Sequence, residues 1–204
     1  MARAHIKICG LKTPELAEEA VRLGADYIGI IFHPRSKRYV SIDQAIEIAQ
    51  SVHSAGGKVV PVFVDQDAGV ILEYAKRLDA DILQLHGRAA VDAYHELTQY
   101  YPCIIAVNFA HDMTQYDSSR DFLLYDYHEA GSGQSFDWDE VEINPSFRSF
   151  IAGGINASNV QEAIAHFKPY AVDTSSGVED KDGNKSIDLI HQFCRTVDKE
   201  VLDR

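Results

Sequence analysis

The sequence predicts an α/β protein folded as a single (β/α)8 barrel over residues 1–204. Three observations carry that reading. Apolar strand-like runs alternate with helix-period segments from end to end. There are eight such runs. They are mostly continuous in apolar character, as in Tyr27-Ile28-Gly29-Ile30-Ile31-Phe32, which marks strands covered on both faces. Units of roughly 25 residues make this a small barrel with little room for a further domain. A doubly wound open sheet is the competing architecture. The GxGxxG turn it usually carries after strand 1 is absent, and Cys9-Gly10-Leu11-Lys12 stands there instead.

The strands are expected near 4–9, 27–32, 58–64, 81–85, 103–107, 121–125, 148–152 and 170–174. Each is followed by a helix or a helix-sized segment. The first helix opens at Thr13-Pro14-Glu15, with a capping hydroxyl, a proline suited to the first helical position and an early carboxylate. The second opens at Ser41-Ile42-Asp43-Gln44, which reads as a capping box. After strand 6 only a short helix fits, near 137–142. Between 157 and 167, Val160, Ala163, Ile164 and Phe167 fall on one stripe and predict an amphipathic helix.

Composition narrows the function. Lys and Arg total 19 against 31 Asp and Glu, a net charge of −12. Like charges repel, so no nucleic acid and no anionic membrane surface is expected as partner. A small phosphorylated ligand needs only a few local donors and fits. No apolar run of about 18 residues occurs, so no transmembrane helix is expected. Met1–Lys7 is charged and short, without the apolar centre of a signal peptide. Cys9, Cys103 and Cys194 form no CxxC pair, which suits a reducing, cytoplasmic setting. No HExxH or similar ligand spacing is present, so no metal is expected, and with the GxGxxG turn missing no nicotinamide or flavin cofactor is expected.

In a barrel the chemistry belongs at the C-terminal strand ends. Those ends carry Cys9, Arg38 just past strand 2, Gln84 and His86, Asp126, Gly153-Gly154 and Asp173. Gln84 and His86 lie two apart and share one strand face. The loops after strands 7 and 8, Gly153-Gly154 and Ser175-Ser176-Gly177, suit a phosphate. Glycine lets oxygens approach the backbone N–H groups, and serine adds hydroxyl donors. Gly131-Ser132-Gly133 is placed to close over the same phosphate.

With these residues in view, the chain resembles the phosphoribosylanthranilate isomerase family over nearly its whole length. The motifs are Lys7-Ile8-Cys9-Gly10, Phe32-His33-Pro34-Arg35-Ser36-Lys37-Arg38, Leu83-Gln84-Leu85-His86-Gly87 and Leu123-Leu124-Tyr125-Asp126. Gly131-Ser132-Gly133 with Ser135-Phe136-Asp137-Trp138, Ala152-Gly153-Gly154-Ile155-Asn156 and Val172-Asp173-Thr174-Ser175-Ser176-Gly177-Val178-Glu179 follow in order. The resemblance implies an Amadori rearrangement of N-(5′-phosphoribosyl)anthranilate in tryptophan biosynthesis, by a monomer or homodimer without cofactor. It implies Cys9 as general base and Asp126 as general acid. Arg38 would contact the anthranilate carboxylate and Asp173 the anthranilate moiety, with Gln84 and His86 as supporting polar groups. A base of this kind needs a neighbouring positive charge to favour thiolate, and an acid of this kind needs partial burial to hold its proton.

The chain departs from the family pattern in three places. Gln134 stands where lysine is usual, and Thr174 where a small apolar residue is usual. The stretch Glu179–Lys185 lacks the usual proline-glycine pattern and is read as a loop outside the chemistry. Two other readings stay open on sequence alone. One is another phosphate-binding barrel isomerase or epimerase. The other is a non-catalytic sugar-phosphate-binding barrel, which would have no use for Cys9 and Asp126 together.

Overall fold

The computed structural model describes residues 3–110, 112–126, 138 and 141–202. Eight parallel strands close into a barrel in sequence order, each pairing with its neighbours, and the last strand pairs with the first. They are β1 (His5–Cys9), β2 (Tyr27–Ile31), β3 (Lys58–Phe63), β4 (Leu83–Leu85), β5 (Cys103–Ala106), β6 (Phe122–Asp126), β7 (Arg148–Ala152) and β8 (Ala171–Thr174). Every strand falls within a residue or two of its expected place. Among the described residues no helix is long and apolar enough to cross a membrane.

The helices start where local chemistry tells them to. In α1 (Pro14–Arg22) the Thr13 hydroxyl accepts from the Leu16 N–H at 3.3 Å. In α2 (Ile42–Ser54) the Ser41 hydroxyl accepts from the Gln44 N–H at 3.3 Å. The capping box is only half made, because the Gln44 amide turns away and donates to the Lys12 carbonyl at 2.5 Å. That bond ties the loop after β1 to α2, a tertiary use of a residue that local pattern assigns to the cap. In α3 (Ala68–Leu78) Asp67 caps Val70 at 3.0 Å. The next connection holds two short helices, α4 (Arg88–Asp92) and α5 (Tyr94–Leu97).

Two expectations change. After β5 the described chain has no α-helix, only short 3₁₀ turns at Val107–Phe109 and Met113–Gln115. The reason is local: Asp112 accepts from the Thr114 N–H at 2.9 Å, and Asp117 from the Ser119 N–H at 3.0 Å. Such short-range side-chain bonds give the backbone an alternative to a helix. The helix expected from 157 is α6 (Val160–Phe167) and starts three residues later. Asn156 instead bonds the Ser158 N–H at 2.8 Å and forms a turn. The predicted stripe holds, with Val160, Ala163 and Ile164 buried. Of the short helix near 137–142, residues 137, 139 and 140 lie outside the described residues, and Val141 and Glu142 are not helical. The chain closes with α7 (Ile187–Leu202).

The core has two parts. Ile6, Ile8, Ile28, Ile30, Leu83 and Leu85 point outward into the layer beneath the helices. Tyr27, Val60, Ile82, Ile104, Phe122 and Phe150 point inward and plug the barrel. Full burial of such a side chain contributes about 1.5–3 kcal/mol. At the N-terminal end, just before β6, the Asp121 carboxylate is buried. It accepts from the Tyr94 hydroxyl at 2.5 Å, the Cys103 N–H at 3.0 Å and the Arg120 Nε at 3.1 Å. The plug fills the barrel interior toward its N-terminal end, and the polar strand ends lie at the C-terminal mouth.

Candidate active site

A cavity of about 380 Å³ lies at the C-terminal ends of the strands, within the size range of small-molecule sites. Side chains two apart on a strand share a face. That parity carries the inward row from the apolar plug to polar groups at the mouth. On β6 it runs from Phe122 through Leu124 to Asp126, and on β4 it reaches Gln84 and then His86. Of the residues singled out from sequence, Cys9, Arg38, Gln84, His86, Asp126, Gly153, Gly154, Asp173, Ser175 and Ser176 line this one cavity. Gly177 does not line it. A Cβ there would stand 2.1 Å from the Ile155 carbonyl oxygen, so its small size lets the loops after β7 and β8 touch. The Thr174 hydroxyl donates to the same carbonyl at 2.6 Å, which gives that departure from the family pattern a packing role. Gly131, Ser132, Gly133 and Gln134 lie outside the described residues.

Four further groups belong to the site. Lys7, which looks like part of a charged N-terminus, is wholly buried and donates to Asp173 at 2.7 Å. Parity was its signal, since Lys7 lies two before Cys9 on the same strand face. Gly29 opposes Cys9 in register, and a Cβ on it would stand 2.6 Å from the Cys9 Sγ, so glycine makes room for the sulfur. Glu179 and Lys185 tie the 179–185 stretch, read as a loop outside the chemistry, to residues that line the cavity. Glu179 bonds Arg38 at 2.6 Å. Lys185 donates to the Ser175 carbonyl at 2.7 Å and hydroxyl at 3.1 Å, and Ser175 Oγ donates to the Cys9 carbonyl at 3.0 Å. No local pattern announces Glu179, because its partners Arg38 and Lys37 lie far off in the chain, and Lys185 reaches Ser175 across the turn of its own loop.

The electrostatics follow from burial and pairing. Burial pushes the Cys9 thiol above its ordinary range, Lys7 pulls against it, Asp173 adds to the rise and Lys185 opposes it. The resting Cys9 is therefore a thiol, with the expected neighbouring positive charge present in Lys7 but outweighed by burial. Burial works against the Lys7 charge, and the contact with Asp173 opposes burial and keeps Lys7 above its ordinary range. Burial lowers His86, with Lys7 acting in the same direction and Asp126 opposing. The ring is neutral near pH 7. With the Gln84 amide donating to Nδ1 at 3.1 Å, the ring proton sits on Nε2, the atom 3.6 Å from Asp126 Oδ2. Two buried acceptors, Asp173 Oδ1 and Gln84 Oε1, have no hydrogen-bond partner among the described residues. An orphaned buried acceptor costs about 1–3 kcal/mol, so both are poised for donors on a ligand.

Beside these charged groups, at the ends of β7 and β8, glycine and serine line the cavity wall. Gly153 and Gly154 have φ of 89° and 75°, conformations L side chains rarely adopt, and Ser175 and Ser176 face them from the end of β8. Backbone N–H groups and hydroxyls are the donors there, a chemistry suited to phosphate.

A closed barrel whose mouth joins an inward thiol, a carboxylate, an arginine and a glycine-serine cradle has the architecture of a TIM-barrel enzyme with a site suited to a small anionic ligand. Comparison with known proteins gives the family. A profile for N-(5'phosphoribosyl)anthranilate (PRA) isomerase matches residues 6–196. An N-(5'-phosphoribosyl)anthranilate isomerase of Streptococcus pneumoniae (strain ATCC 700669 / Spain 23F-1) is 45% identical over 195 residues, 94% of each chain. The crystal structure of phosphoribosyl anthranilate isomerase from Thermotoga maritima is 32% identical, with a TM-score of 0.83 over 96% of this chain and 99% of that one. A phosphoribosyl anthranilate isomerase solved in complex with reduced 1-(o-carboxyphenylamino)-1-deoxyribulose 5-phosphate is 31% identical, with a TM-score of 0.78 over 96% and 99%. The chain belongs to the N-(5′-phosphoribosyl)anthranilate isomerase family.

Proposed function

We propose that the barrel mouth isomerises N-(5′-phosphoribosyl)anthranilate to 1-(2-carboxyphenylamino)-1-deoxyribulose 5-phosphate, with Cys9 as base and Asp126 as acid. The reading rests on one observation above all. Both residues line a single cavity with Arg38 and the neutral cradle of Gly153, Gly154, Ser175 and Ser176.

Asp126 gives a proton to the ribose ring oxygen, and the C1′–O bond breaks to leave an open-chain protonated Schiff base. Cys9 as thiolate removes the C2′ proton. The C–H electron pair forms the C1′=C2′ bond, and the iminium pair returns to nitrogen, giving a neutral enolamine. Loss of the 2′-hydroxyl proton and protonation of C1′ yield the ketone. The cationic Schiff base supplies the missing drive for Cys9. A positive charge arriving beside a thiol held up by burial favours its ionisation, the thiol proton passing to solvent before the C2′ proton is taken. Cys9 on β1 and Asp126 on β6 stand three strands apart around the ring, so they approach the sugar from different flanks. Arg38 takes the anthranilate carboxylate through paired hydrogen bonds. The orphaned acceptors Asp173 Oδ1 and Gln84 Oε1 take the arylamine N–H and a sugar hydroxyl.

The test is the loss of substrate fluorescence when freshly made phosphoribosylanthranilate meets the purified protein. Cys9→Ala and Asp126→Asn should each fold with an unchanged thermal midpoint and lose about 10²–10⁴-fold in kcat. Near wild-type turnover in either variant, with chemistry limiting, would remove that residue from the mechanism. A flat trace for the folded wild type would leave a binding module.

A further inference from the structure

We infer that Glu179 is a positioning residue for Arg38: its carboxylate takes the Nε edge of the guanidinium and leaves the terminal pair of nitrogens for the substrate carboxylate. This rests on the proposed role of Arg38.

The geometry is specific. A guanidinium offers two flat edges to a carboxylate, one through Nε and one through its two terminal nitrogens. Glu179 Oε1 accepts from Nε at 2.6 Å, while Oε2 is held by Lys37 Nζ at 2.8 Å, so Glu179 does not wrap the guanidinium. Among the described residues no hydrogen bond engages the terminal nitrogens of Arg38, which lines the cavity. The rest of the side chain is fixed from two other sides. Ser36 Oγ accepts from the Arg38 main-chain N–H at 3.1 Å. Beneath the stem lies Gly10, where a Cβ would stand only 2.5 Å from the Arg38 Cδ. Arginine is thus seated by a glycine, anchored at its backbone and aimed by one carboxylate.

The charge around Glu179 makes the arrangement attractive to an anion despite the acid in it. The Glu179 side chain is only 6% exposed and pairs with Arg38, Lys37 and, at 3.4 Å, Lys185. One carboxylate among three cations leaves a local surplus of positive charge in a chain whose net charge is −12. Although burial works against its charge, hydrogen bonds from Arg38 and Lys37 bring Glu179 down to about 2, so it stays ionised at any working pH. Without it, Arg38 and Lys185 would face each other with no counter-charge, and the guanidinium would swing to solvent.

The decisive measurement compares two ligands differing in one carboxylate. They are reduced 1-(o-carboxyphenylamino)-1-deoxyribulose 5-phosphate and its phenylamino counterpart without the carboxylate, each titrated by calorimetry. Wild type should prefer the carboxylate ligand by tenfold or more, and Arg38→Ala should abolish that preference. Glu179→Gln, with its fold verified by thermal unfolding, should lose most of the preference while binding the phenylamino ligand as wild type does. Glu179→Asp should recover part of it. In an Arg38→Ala background, Glu179→Gln should change the preference no further. If Arg38→Ala removes the preference and Glu179→Gln keeps it, the positioning role is wrong while the Arg38 reading stands. If Arg38→Ala keeps the preference, the Arg38 reading itself fails and takes the positioning role with it. Equal weakening of both ligands by Glu179→Gln would mark a merely structural residue and overturn the proposal. Should Glu179→Gln not fold, Glu179→Asp decides in its place, since an undiminished preference with the carboxylate drawn back by one methylene also overturns it.

Discussion

Two carboxylates are buried at opposite ends of the same barrel, and the fold treats them in opposite ways. Asp121, at the N-terminal end, has both oxygens engaged by Tyr94, Cys103 and Arg120. Asp173, at the mouth, has Lys7 on one oxygen and nothing on the other among the described residues. A fully satisfied buried charge rigidifies the structure around it, whereas a half-satisfied one costs free energy until a ligand completes it. The difference separates a floor that holds the barrel together from a mouth that is incomplete without substrate. It also explains why buried charge by itself does not identify an active site.

The comparison can be broken by variants, and the largest expected effect lies at the floor. Asp121→Ala leaves the Tyr94 hydroxyl, the Cys103 N–H and the Arg120 guanidinium without their acceptor. It should cost about 3–5 kcal/mol in unfolding free energy, read by urea titration, with kcat per folded molecule unchanged. A loss of kcat at full folding would mean that the floor communicates with the site. At the mouth, Lys7→Met alone strands the Asp173 charge and should destabilise by a similar amount. Lys7→Met with Asp173→Leu should return to within about 1–2 kcal/mol of wild type, because a buried ion pair adds little stability over apolar groups of similar size. That double variant should nevertheless stay inactive. Recovery of turnover along with stability would make the pair structural, like Asp121.

A smaller effect sharpens the picture at the rim of the mouth. The pKa of Glu179 is depressed in the folded protein, so it contributes stability that is fully present above the ordinary glutamate range. That contribution fades as pH falls from about 4.5 toward about 2. Allowing for solvent at the rim, the contribution near neutral pH is about 2 kcal/mol. The gap in unfolding free energy between wild type and Glu179→Gln should therefore be constant from pH 7 to 5 and narrow between pH 4.5 and 3. A gap that does not change with pH would mean that the loss is steric rather than ionic.

Much of this protein was written locally. Strand positions, the capped starts of α1 and α2, and the strand-end residues Cys9, Arg38, His86, Asp126 and Asp173 follow from periodicity and from the rule that barrels work at their C-terminal ends. Where the sequence misled, the competition was also local. Asp112 and Asp117 bond their own turns and displace the helix expected after β5, and Asn156 delays the start of α6. These are contests between nearby alternatives of similar free energy, which pattern alone does not rank.

By itself, then, the sequence determined the order of elements, the closed parallel architecture and which strand ends carry chemistry. Those properties depend on side-chain period and on contacts a few residues apart. Only the tertiary structure decided that Lys7 is a buried partner of Asp173 rather than a solvated terminal charge, and that Arg38 is aimed by Glu179 rather than lying in a solvated loop. Those pairs span 166 and 141 residues of chain. A charge in an apolar strand looks the same in sequence whether or not a partner awaits it. Barrel closure alone brings β8 beside β1 and the loop after β8 against the loop after β2, and with them the opposite charges that make burial affordable.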